Sequence, residues 1–144
     1  MDDVGGSDGP GTGAAAPEIL LRHLVRTYVY ADHANTLAVT LLCGGRIVAG
    51  DIVTPHRWAT EMKSFVASGH GTAVEYMLET LVTFGDAFAS TRSPAADDEI
   101  TTFYLINAAV ALTGDAAVPE SAVRRPWAVQ AAQVAAWSLG TVVA

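Results

Sequence analysis

The chain has 144 residues, 51% hydrophobic and 16% charged, with 15 Asp and Glu against 8 Lys and Arg for a formal net charge of −7. That length makes one domain with room for a buried core. The charge argues against a nucleic-acid partner, because phosphate binding needs clustered Lys and Arg and only Arg124 and Arg125 stand together.

Residues 1–16 hold five glycines, three aspartates and no aromatic residue, too little apolar surface to offset ordering entropy, and read as a disordered acidic tail. The stretch MDDVGGSDGPGTG has neither a basic n-region nor an apolar h-region and does not read as a secretory signal. Residues 17–144 read as a single α+β domain. Pro17 and Glu18 open a helix. Leu20, Leu24 and Tyr28 share one face of it, with Leu21, Val25 and Val29 beside them, while Arg22, His23 and Arg26 fall on the other side.

The stretch Leu37 to Val53, LAVTLLCGGRIVAGDIV, organises the rest. Two β-rich arms meet at Gly44-Gly45, where both turn positions can take positive φ without steric cost, so a hairpin is expected. Gly50, inside the second arm, marks a sharp bend or a close backbone approach. A helical insertion follows at about 54–90. Thr54-Pro55 supplies an N-cap and a first-turn proline for a helix whose stripe is Trp58, Met62, Phe65 and Val66. Ser68-Gly69-His70-Gly71 breaks it. Thr72 and Glu75 form a capping box for a second helix, which presents Val74, Met77, Leu78, Leu81, Phe84 and Phe88 at helical spacing.

A polar loop runs from Ser90 to Glu99. Ile100 to Leu112 then reads as a long strand in which Tyr104, Ile106, Ala108, Val110 and Leu112 alternate with Phe103, Leu105 and Asn107. Trp127 to Ala131 and Val134 to Val142 read as two last strands, with helix a live alternative over 128–137 because alanine is a poor strand former. The uncharged stretch from Pro126 to Ala144 nearly has the length of a membrane span. Gln130, Gln133, Ser138, Thr141 and Gly140 interrupt it, so buried strands rather than a membrane tail are expected.

Chemistry-bearing motifs are sparse. None of the four histidines shows HxxxH or HExxH spacing, and the lone cysteine, Cys43, excludes an internal disulfide, fits a reducing compartment and reads as a small hydrophobe. A Cys43 nucleophile with His56 or His70 lacks any sign of the electropositive setting that a reactive thiol needs. Asp97-Asp98-Glu99 lacks the EF-hand spacing and its glycine, and no phosphate-loop, dinucleotide or nucleophile-elbow motif is present. No catalytic residue, metal ligand or cofactor is therefore expected. Trp58, Trp127 and Trp137, with Phe84 and Phe88, are the candidate interaction residues, since tryptophan is enriched at hot spots.

Three stretches carry a resemblance: VTLLCGGRIVAGDIVTPHRW, FYLINAAVALTG and PWAVQAAQVAAWSLGTV. Together with the helix before the hairpin they span roughly 17–143, and their order resembles the gas vesicle accessory protein GvpU family. The likeness lies in a strand, glycine turn and x-x-x-G strand leading to a helix, a long strand before a loop, and a terminal tryptophan strand followed by V-x-x-aromatic-x-L-G. The resemblance implies a non-enzymatic, cytoplasmic, gas vesicle-associated homo-oligomer. Its partners would be vesicle shell or other accessory proteins, and its role vesicle assembly or clustering. Family members carry charges through the last two strands where this chain has Ala128, Gln130, Ala132, Gln133 and Ala135, a departure that leaves any electrostatic partner contact there outside what the resemblance implies. The hairpin with a preceding helix and three later strands is also similar to Sm-like small barrels. By that analogy the fold is an N-terminal helix and a small, strongly bent, mainly antiparallel five-stranded sheet or barrel, with a helical pair inserted between strands 2 and 3. The alternative function is an Sm-like oligomeric binding module with a regulatory role.

Overall fold

A computed structural model of the chain describes residues 16–69, 72–90, 93–112 and 123–140. The acidic tail at 1–15, His70, Gly71 and residues 141–144 lie outside the described residues. So do the side chains of the Thr72–Glu75 capping pair and of Phe84 and Phe88.

The fold is α+β. Helix α1 (Ile19–Leu24) continues as a π-helical turn over Val25–Val29. Strands β1 (Leu37–Cys43) and β2 (Arg46–Val53) form the hairpin, followed by α2 (Pro55–Ala67) and α3 (Thr72–Ser90). A 3-10 turn at Asp97–Glu99 leads into β3 (Thr102–Leu112), then β4 (Arg125–Gln130), a second 3-10 turn at Ala131–Gln133, and β5 (Val134–Leu139). All pairings are antiparallel, in the order β4-β3-β2-β1-β5. The helical alternative over 128–137 reduces to the single 3-10 turn between two strands, and no described helix is long and apolar enough to cross a membrane.

Strand order and linker length together dictate the curvature. The sheet's two edges, β4 and β5, are joined by three residues, Ala131–Gln133. Four backbone steps reach at most about 14 Å, whereas the edges of a flat five-stranded sheet would stand about 19 Å apart. The sheet therefore curls until its edges approach at this end. Among the described residues no ladder joins β4 to β5, so the sheet is curled but open.

The hairpin turns at Gly44 and Gly45, with φ of +58° and +73°, values suited to the primed turns whose twist matches the strands. Gly50 is a place where backbones crowd. A Cβ there would lie 2.7 Å from the Cβ and 2.9 Å from the Cα of Ala108. The β2–β3 register slips at this point, from Ala49 opposite Ala109 to Asp51 opposite Ile106. On the other side of β3 it slips again, between Leu105 opposite Trp127 and Ala108 opposite Arg125. Both slips centre on Asn107, whose φ of +51° puts an exposed asparagine in the left-handed region.

This bulge corrects the uninterrupted alternation expected for β3. Phe103 and Leu105 face the main core, and after the bulge Ala108 takes that face instead of Asn107. Leu41, Val48, Ile52, Phe103, Leu105 and Val134 fill the inner face, and α1 with its π-helical turn adds Leu21, Val25 and Val29. Here too the expected stripe shifts: Leu20 and Tyr28 are exposed, and the neighbouring Leu21–Val25–Val29 row is the buried one. Pro17 sits in the turn before the helix rather than within it.

Polar contacts fasten α1 to the entry of β3. Arg22 bonds Glu18 at 3.0 Å and donates to the Ile100 carbonyl at 2.8 Å. Arg26 donates to the Asp97 carboxylate, and His23 approaches it at 3.1 Å. The Arg26 hydrogen bond, aided by His23, holds the Asp97 carboxyl below its ordinary value. A depressed native value contributes stability above the unfolded carboxylate's range, and this is lost as pH falls through the native value. Asp97→Asn should accordingly lower the urea midpoint near neutral pH and leave it almost unchanged in strong acid. An equal loss at both pH values would refute the linkage.

Candidate interaction surfaces

Thr54 accepts from the Arg57 amide at 3.4 Å and starts α2, with Pro55 in the first turn. That start aims Trp58 at the sheet. Its indole Nε1 donates to the Trp127 carbonyl at 3.1 Å, and its ring tilts against Tyr104 at 5.3 Å between centroids. Phe65, two turns on, lies under the Arg125 guanidinium at 5.9 Å. Helix α2 thus lies along β4 and occupies one of its carbonyls, which blunts that edge.

Helix α3 packs chiefly on α2, leaving Tyr76, Met77 and Val82 at 72%, 45% and 45% exposure. Between the two helices and β3 lies an apolar crevice of about 430 Å³, lined by Trp58, Met62, Tyr76, Met77, Leu81 and Tyr104. The opposite edge differs. Strand β5, VAAWSL, has no charge and no proline, and Leu139 is 60% exposed at its end. A hollow of about 440 Å³ adjoins it, lined by Thr40, Leu42, Ile47, Ala136, Trp137 and Ser138.

The three tryptophans do not converge. Trp58 and Trp127 meet at the β4 edge, while Trp137 lies on β5 and donates to the Pro17 carbonyl at 2.7 Å. All three are half-buried and held by contacts within the chain, with Trp127 and Trp137 resting against the main core. Phe84 and Phe88 lie on α3, their side chains outside the described residues.

The chemically capable groups are scattered. His33 and His56, 23 positions apart in sequence, bring their rings within 5.4 Å, and His33 Nδ1 lies 3.3 Å from Thr54 Oγ1. Spacing rules missed this pair because it joins a loop to a helix start. Among the described residues no group of three or more His, Cys, Asp or Glu could hold a metal ion. The acidic run is engaged locally, Asp97 with Arg26 and His23, and Glu99 with the Ala95 amide at 3.1 Å. Burial pushes the Cys43 thiol up, which lowers its thiolate fraction at neutral pH. Burial likewise raises Asp51, against the pull of Arg57 and Arg124, and pushes Tyr30 up to about 12.

What the surface offers is apolar area beside an open strand edge, an arrangement that can bind another chain. Comparison with protein-family models, curated proteins and solved structures finds no match to this chain.

Proposed function

We propose that this chain is a non-enzymatic accessory protein of the gas vesicle, of the GvpU kind, which works in the cytoplasm by self-association and by contacting shell or fellow accessory proteins. The observation carrying this reading beyond the resemblance is the asymmetry of the sheet's edges. Helix α2 blunts β4, whereas β5 presents an uncharged strand. Natural sheets guard an edge with charge, proline or a cover unless it is used, so a strand left uncovered among the described residues supports a binding role. The exposed Tyr76, Met77 and Val82 on α3 add a second apolar surface.

The test is co-precipitation with purified vesicle shell and accessory proteins. Capture above that of an unrelated protein of equal negative charge is expected, and it should fall when a lysine is placed in β5 at Ala136. Capture no better than the control would refute the reading.

A second reading, an Sm-like oligomeric binding module with a regulatory role, is favoured by the strand order β4-β3-β2-β1-β5 and the three-residue link between the edges. Light scattering separates the two. A closed ring without affinity for vesicle proteins favours the second.

A further inference from the structure

Among the described residues, the inner face of the sheet is uncovered at the hairpin-turn end. A cleft of about 290 Å³ lies there between the β1–β2 turn and the β4–β5 link. Val48, Val110, Trp127 and Val129 form its walls and belong to, or rest against, the main core. Cys43 lies in the same wall, and Arg46, Gln130 and Gln133 stand at the rim.

Among the described arginines the one at the rim is distinguished by what its side chain lacks. Arg22 is paired with Glu18, and Arg26 with Asp97. Arg57 and Arg124 donate to the carbonyls of Ala34 and Asn107, and Arg125 lies over Phe65. The Arg46 side chain, in a chain of net charge −7, has neither hydrogen bond nor ion pair among the described residues. An apolar hollow of near-ligand size with a few convergent polar groups is the usual form of a small-molecule site.

We propose that this cleft binds an amphipathic monocarboxylate, its hydrocarbon chain against Val48, Val110 and Trp127 and its carboxylate on Arg46. The charge selects the ligand class. A guanidinium fork matches a planar carboxylate with two parallel hydrogen bonds, a neutral ligand leaves the cation unused, and a phosphate, which the same fork also fits, would bring a second negative charge that no other side chain lining the cleft balances. The two glutamine amides complete the polar rim. The site is separate from the surfaces invoked for vesicle binding, and its test does not depend on them.

Cys43 makes the cleft self-reporting. Octanoate should slow native alkylation of Cys43 at mildly alkaline pH at least several-fold at saturation. Octan-1-ol, with the same chain and no charge, should need at least about ten times the concentration, the least fold-change expected when a charge-assisted pair is lost. Arg46→Gln should bring octanoate to the level of the alcohol and leave the alcohol unchanged. Val110→Phe, which fills the cleft, should abolish both effects with the thermal transition retained. Amide shifts on octanoate titration should cluster at residues 43–48 and 127–133. An alkylation rate indifferent to octanoate, an unchanged acid-to-alcohol ratio in Arg46→Gln, or shifts centred on the α2–α3 crevice would each overturn the proposal.

Discussion

Gly50→Ala is expected to destabilise the domain by about 3 kcal/mol, the upper end for an extra methyl forced into a packed core. Roughly 10 °C should be lost from the thermal midpoint at this chain length. The new Cβ would meet Ala108 Cβ at 2.7 Å, Ala108 Cα at 2.9 Å and the Ile106 carbonyl at 3.1 Å. Two of those atoms are backbone, and the third is a methyl with no rotamer to escape into. The strands themselves must separate, at the point where both registers of β3 already slip. A paired change isolates the cause. Ala108→Gly removes the facing methyl and should recover part of the loss in the double variant, even though glycine alone costs a strand stability. Chemical denaturation of the wild type, the single and the double variants checks this. A double variant no better than the sum of the singles would show that crowding is not the reason for glycine here.

Phe103→Ala should cost about 4 kcal/mol, within the span measured for burying and then deleting a phenylalanine ring. Phe103 is fully buried and is the largest such side chain in the described core. It sits on β3, the strand between β2 and β4, in the cluster that also takes Leu21 from α1 and Val25 from the π-helical turn that continues it. Its loss therefore loosens helix and sheet together. The cost should reach the unfolding free energy in full, with one cooperative transition by far-UV and tryptophan signals. If the two signals separated, α1 would be melting independently of the sheet. Phe103→Leu, which keeps much of the volume, should lose far less.

The legible parts of this fold were those governed by local rules. The Gly44-Gly45 turn, the Thr54-Pro55 helix start and the strands on either side of Ala131 follow from turn chemistry, capping and alternation. The illegible parts depended on partners distant in sequence. Alternation through ITTFYLINAAVAL gives no sign that Asn107 takes positive φ, because the bulge is set by crowding between Gly50 and Ala108 on a different strand. For α1, two adjacent apolar stripes compete on the helix surface. Only the position of Phe103 and Ile100 selects the Leu21–Val25–Val29 row over Leu20 and Tyr28. The surfaces were harder still. The tryptophans could be picked out by type, but that Trp58 would occupy a β4 carbonyl and leave β5 the barer edge follows from topology alone. Arg46 next to a glycine turn reads as an ordinary solvated residue until every other described arginine is seen to be engaged.

The position of β5 sets a timetable for biosynthesis. Thr40 Oγ1 donates to the carbonyl of Gly140, and the Gly140 amide donates to Ala38, so one flank of β1 is completed by residues about a hundred positions later. While the chain is being translated, β1 emerges about a hundred residues ahead of β5 and keeps that flank bare until β5 has left the ribosome. Closure of so distant a pair is slow, and the waiting hairpin is a target for holdase chaperones and for unwanted strand pairing. A C-terminal truncation before Val134 would make that waiting state permanent.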